Sequence, residues 1–202
     1  MIRTLKEALS FVRIHRIVPM TPAGDLPSFV TEVVGERVKG SWWGHPKGNL
    51  VYDLAEGLLD SEEVCSIPLI DGRSTLVHSS LLPALYRVVT DAGWRRSKTD
   101  ELAAVERKLL AAVEKAGTLV PDPWAKKSGV DGSALKKARE RLAKELLLKS
   151  ASVHTESGKH VAVLHNWKRW AKEEIRKASR GLSLVESREM LSGLCRGHAP
   201  AI

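Results

Sequence analysis

The chain has 202 residues, 43% of them hydrophobic and 28% charged, with a formal net charge of +8 at pH 7. No run approaches the roughly 18 consecutive apolar residues needed to span a bilayer, and the amino terminus shows no signal-peptide pattern, so the expectation is a cytoplasmic protein without a membrane partner. Cys65 and Cys195 have no ligand-spaced companions, which argues against a zinc site or a disulfide framework and implies no metal or cofactor.

In chain order, Leu5, Leu9, Val12 and Ile17 suggest a first amphipathic helix, and residues 27–34, with Phe29, Val30, Val33 and Val34 as the apolar side, a second. Gly35 and Gly40 bracket a turn. Pro46 then precedes a third helix carrying Leu50, Tyr52, Leu54, Leu58 and Leu59 and ending near Asp60. Residues 64–70 and 73–78 flank Asp71 and Gly72, a dipeptide favoured where both central turn residues need positive φ, so a β-hairpin closes this half. Residues 81–89 read as a helix leading away from it.

The second half repeats the order more clearly. Leu102, Val105, Leu109, Leu110 and Val113 follow the helical period over residues 101–116, with Asp100 as the expected N-cap and Gly117 as the stop. Pro121 and Pro123 suit the first turn of a short helix that Gly129 ends, and Asp131 caps a third helix with Leu135, Ala138, Leu142 and Leu146 along one stripe. Residues 149–154 and 160–165 are β-prone runs around a glycine-containing turn. Beyond residue 166, Trp167, Trp170, Ala171 and Ile175 suit one face of a helix, and residues 183–194 form a last one. This tail can pack between the halves, form a dimer contact or lie along DNA as a basic arm.

Helix, helix, longer helix, hairpin is the outline of a winged helix. The expected fold class is therefore mainly α with small β-hairpins (α+β): tandem winged helix-turn-helix domains over 1–90 and 91–165, and a helical tail over 166–202. The length accommodates two cores of roughly 80 residues each.

Charge separates the halves. Residues 1–90 hold 9 lysines and arginines against 10 aspartates and glutamates, whereas residues 91–202 hold 23 against 14. Several cations on one surface displace counterions from a phosphate backbone, which points to DNA as the partner. For any single cluster the alternative is a solvated charged face. The candidate contacts are Arg95 and Arg96; Lys126 and Lys127; Lys136, Lys137, Arg141 and Lys144 on the third helix; Lys159 and His160 on the wing; and Lys168 and Arg169 in the tail. Arg139 falls nearer the core edge, where its stem is expected to pack. That helix lacks asparagine and glutamine, so bidentate adenine readout is not expected and sequence preference should be weak.

The other distinctive segment, residues 40–48 (GSWWGHPKG), sets Trp42 and Trp43 beside His45 and Lys47. Such a group suits stacking on an unpaired base or wedging into distorted DNA, with cations on the phosphate track. Equally, one tryptophan can plug the first core, and adjacent residues are expected to point to different sides.

Residues 40–48, the later TLVH (75–78) with LPAL (82–85), and VHTESGKH (153–160) resemble segments of small, uncharacterised bacterial proteins. In architecture the serial winged helices are similar to bacterial winged-helix DNA glycosylases, a likeness that implies a role in DNA repair. Those enzymes depend on a Gln-x-Gln or Gln-x-Asp motif, which a chain without glutamine does not supply. Phosphate-loop, zinc-protease and serine-hydrolase motifs are also lacking. A nuclease site built from Asp53, Asp60, Glu62 and Glu63 is the remaining enzymatic alternative, against a solvated acidic turn. The sequence thus reads as a non-enzymatic DNA-binding protein in repair, genome maintenance or regulation, the other reading being a protein adaptor built of tandem winged helices.

Overall fold

The computed structural model describes residues 1–154, 160–195 and 202. The protein is α+β, mainly helical, with two three-stranded antiparallel sheets. It divides into two compact units, Met1–Leu85 with Val185–Ala201, and Tyr86–Leu184. Among the described residues no helix is long and apolar enough to cross a membrane.

In the first unit, α1 (Leu5–His15) begins at a capping box: the Thr4 hydroxyl accepts from the Glu7 N–H, and the Glu7 carboxylate accepts from the Thr4 N–H at 3.0 Å. The expected apolar run to Ile17 is broken. Arg16 turns to φ 61°, and Ile17 instead starts the strand β1 (Ile17–Pro19), pairing antiparallel with a later strand. Next comes α2 (Phe29–Val34), capped by Ser28 and stopped by Gly35 at φ 93°. A 3-10 turn (Trp42–Gly44) leads into α3 (Gly48–Asp60), whose buried side is Val51, Leu54, Ala55 and Leu58. Leu59 points outward, at 38% exposure.

The hairpin β2 (Val64–Ile70) and β3 (Arg73–His78) turns through Asp71 at φ 50° and Gly72 at φ 71°, the positive-φ pair of a type I′ turn. Pro68 has no amide proton for the ladder, and the register shifts between Ile67 and Ile70. The strand order is β1-β3-β2. Val12, Phe29, Val30, Val51, Leu58 and Leu76 meet in the core between the helices and this sheet. A 3-10 turn (Ser79–Leu81) and α4 (Leu82–Val89) follow.

The second unit contains an element that the periodicity did not indicate, α5 (Ala92–Thr99), capped by Asp91. Only Trp94 on it is buried. The next helix, α6 (Ala104–Ala116), starts three residues later than the sequence suggests: Ala103 is its N-cap, with the Glu106 carboxylate accepting the Ala103 N–H at 2.7 Å, and Leu102 is buried ahead of it. Asp100 instead closes α5.

A two-residue strand, β4 (Thr118–Leu119), precedes α7 (Pro121–Ser128) and α8 (Gly132–Lys144). Gly129 ends α7 at φ 64°. The apolar stripe of α8 ends at Leu142, not Leu146; the latter lies past the helix at φ 53° and is fully buried with Leu147 and Leu148. Strands β5 (Lys149–His154) and β6 (His160–His165) complete a sheet of order β4-β6-β5.

Both units therefore run helix, short strand, helix, helix, hairpin, with the short strand paired to the last. After β6 come α9 (Trp167–Trp170), α10 (Glu173–Ser179) and α11 (Leu184–Leu194). The last of these belongs mostly to the first unit. Its Leu191 is buried, and Gly193 and Leu194 line one cleft with Ile14, His15, Ile17, Leu26 and Pro27.

Candidate nucleic-acid interface

The basic surface of the second unit is built on α8. Asp131 opens the helix by accepting from the N–H groups of Ser133 (2.8 Å) and Ala134 (3.1 Å), a cap worth about 1 kcal/mol. Burial of Leu135, Ala138 and Leu142 then fixes its rotation. The 3.6-residue period leaves Lys136, Lys137, Glu140, Arg141 and Lys144 exposed on the other side.

These cations are not equivalent. Lys136 sits 4.0 Å from Glu140, and Arg141 lies 3.9 Å from Glu145 and 4.0 Å from Glu101. Among the described residues no carboxylate lies within 4 Å of Lys137 or Lys144, so their charge faces solvent unneutralised. Lys126 and Lys127 are likewise exposed, in the last turn of α7, where they also complement the helix dipole. Arg139 buries its Nε as its place at the core edge implies.

Arg95 is placed differently from its sequence neighbour. Its guanidinium donates to the Glu114 carboxylate at 2.6 Å and to the carbonyls of Val89 (3.1 Å) and Leu147 (3.3 Å). With only 22% of the side chain exposed, it ties α5 to α6, to the end of α4 and to the segment between α8 and β5, and is not offered to a phosphate. Arg96 remains exposed.

In α9, the Asn166 side chain accepts the Arg169 N–H at 2.7 Å, and Trp167 anchors the turn by donating its indole N–H to the Leu146 carbonyl at 2.6 Å. That leaves Lys168 and Arg169 exposed, the Arg169 stem lying against Gly117. Lys149, which sequence reasoning did not single out, is buried; its ammonium donates to the Ser150 carbonyl and lies 5.8 Å from the Trp170 ring centre. Lys159 lies outside the described residues, and His160 is placed only as the first residue of β6.

In the first unit the tryptophans divide. Trp42 is half-buried against the core, whereas Trp43 is 64% exposed; their rings stack with centroids 4.2 Å apart. The polar neighbours are not arranged as a phosphate track. Lys47 donates to the Val34 carbonyl at 2.6 Å, closing the end of α2. His45 Nδ1 accepts the Lys47 N–H at 3.1 Å, and its Nε2 lies 3.8 Å from Glu36. Both hold the turn in place. Gly48 suits the close approach there, because a Cβ would lie 3.0 Å from the Trp43 carbonyl oxygen and 3.1 Å from that of Trp42, so the turn would have to give by a few tenths of an ångström.

The imagined nuclease carboxylates do not converge. Glu63 is gripped by Arg13 through two hydrogen bonds of 2.7 and 2.8 Å, which hold its carboxyl below the usual range, while Asp53 and Asp60 lie on α3. Among the described residues no group of three His, Cys, Asp or Glu side chains is arranged to hold a metal ion. Burial pushes the Cys195 thiol up to about 11, so it stays protonated at neutral pH.

The chain matches no known protein-family model, no curated protein and no solved structure.

Proposed function

We propose that the protein is a non-enzymatic, tandem winged-helix DNA-binding protein that engages duplex DNA through its second unit with little sequence preference. The observation that carries this reading is the third helix of that unit, which sets Lys137 and Lys144, both without a carboxylate neighbour among the described residues, beside Lys136 and Arg141 on one exposed face. In helix-turn-helix modules the corresponding helix lies in the major groove. Lysines there contact phosphates, and the lack of amide side chains on α8 removes the usual bidentate reader of adenine. Lys126, Lys127, Lys168 and Arg169 extend the cationic surface.

Such a binder suits genome maintenance or regulation that relies on backbone contact. The acidic third helix of the first unit favours protein docking for that half instead. The test is a titration of the full chain against two unrelated duplexes at two salt concentrations. The reading expects equal affinities that fall steeply with salt, by about 0.9 in log–log slope for each phosphate contacted. Salt-independent binding, or none at low salt, would overturn it.

A further inference from the structure

The third helix of the first unit, α3, contains no lysine or arginine. Asn49, Tyr52, Asp53, Glu56 and Asp60 recur at spacings of three and four and so share the face opposite Val51, Leu54, Ala55 and Leu58. Asn49, Asp53 and Asp60 are exposed, and Tyr52 and Glu56 half-exposed. Among the described residues no cation lies within 4 Å of Asp53 or Asp60.

Trp43 prolongs this stripe past the start of the helix. Its ring centre is 5.7 Å from that of Tyr52, with the planes 43° apart, and Trp42 backs it in a stack. The exposed ring of Trp43 attracts a cation to its face, and the carboxylates farther along the stripe attract a cation and repel a phosphate backbone. Arginine answers both features at once, because its guanidinium stacks on an indole face and also pairs bidentately with a carboxylate.

We propose that this face docks an arginine-rich basic segment of a partner protein, one guanidinium lying on Trp43 and others along Asp53 and Asp60. Charge complementarity selects the occupant: the charged groups of the stripe, from Asp53 onward, are all carboxylates, and the exposed Arg37 and Lys39 belong to the preceding loop, outside the helix. The proposal concerns the first unit alone and stands whether or not the second unit binds DNA.

The experiment titrates hexa-arginine, hexa-lysine and hexa-glutamate into the isotope-labelled full chain at low salt and follows the indole and amide resonances. Hexa-arginine is expected to move the Trp43 indole and the amides of α3, with hexa-lysine about threefold weaker and hexa-glutamate leaving α3 unmoved. W43A should weaken hexa-arginine about threefold to fivefold, W43F less, and D53N with D60N about fivefold. All these positions are exposed, so a melting curve that shows each variant still folded at the titration temperature separates lost contact from lost fold. Affinity equal to the wild type in both W43A and the double asparagine variant would overturn the proposal. So would single-stranded DNA moving the Trp43 indole more strongly than hexa-arginine does, which would make the ring a base platform. Self-association abolished by the same substitutions would also overturn it, identifying the occupant as a second copy of this chain.

Discussion

Trp42 and Trp43 stack with their planes 21° from parallel, yet the pair divides the work of one turn between core and solvent. Trp42 lies against the cluster that includes Phe29, Val51 and Leu58, while Trp43 stays 64% exposed. Replacing Trp42 with Ala should therefore cost about 2–3 kcal/mol, somewhat less than a fully buried ring. Replacing Trp43 with Ala loses little beyond the stack, about 0.5–1.5 kcal/mol. Urea denaturation of both single variants measures this, and equal losses would contradict the division.

Arg95 reaches Glu114 and two backbone carbonyls from a mostly covered position. R95A should destabilise the second unit by about 2 kcal/mol, because Glu114 is part-exposed and the cost falls below that of breaking a fully buried pair. Lysine lacks the planar fork and cannot satisfy three acceptors in one geometry, so R95K should recover little of the loss. DNA affinity of the folded R95A protein should be unchanged. Lost affinity with unchanged stability would place the guanidinium on DNA after all.

How far the sequence carried these conclusions depended on whether a signal was local. The Asp71 and Gly72 turn, the Asp131 cap and the Gly129 stop were legible because the chemistry lies within a few residues of itself. The apolar run expected on α3, by contrast, shared only Leu54 and Leu58 with its buried side, Val51 and Ala55 taking the places expected for Leu50, Tyr52 and Leu59. The strands β1 and β4 were not, since three and two residues carry no periodicity and acquire meaning only by pairing with β3 and β6. Helix α5 escaped notice because a polar helix with one buried residue leaves no stripe. At the candidate sites, charge marked Lys137 and Arg95 alike; only contacts distant in sequence, with Glu114 and Leu147, separate the solvent-facing cation from the structural one.

Acid should weaken the fold through two histidines. His78 and His165 both titrate below the ordinary 6.5, burial being the main cause, with Lys149 adding to it at His165 and Glu63 opposing it at His78. An imidazole whose folded pKa is depressed takes up its proton more readily in the unfolded chain, so stability rises with pH. The contribution is complete above about 6.5 and declines as pH falls toward the folded values. Melting followed from pH 8 to pH 5 should show this decline. H165N, which keeps a partner for the Thr118 hydroxyl now 3.0 Å from Nδ1, should flatten it. A slope unchanged in H165N would remove His165 from the account.

On DNA, the surroundings of each cation on α8 rank their effects. K137A with K144A removes the two lysines lacking a carboxylate neighbour among the described residues, and should lower affinity for all duplexes alike while reducing the salt slope by about 1.8, two phosphate contacts at ~0.9 each. K136A should do less, since Glu140 already lies 4.0 Å from that ammonium. Glu140 itself faces the same side and opposes phosphate, so E140Q should raise affinity and release Lys136 for contact. Filter-binding or anisotropy titrations across a salt series, with a melting curve for each variant, read all three. A loss confined to one duplex sequence would mean base readout by α8, and an E140Q variant that binds more weakly would move the DNA to another face of the second unit.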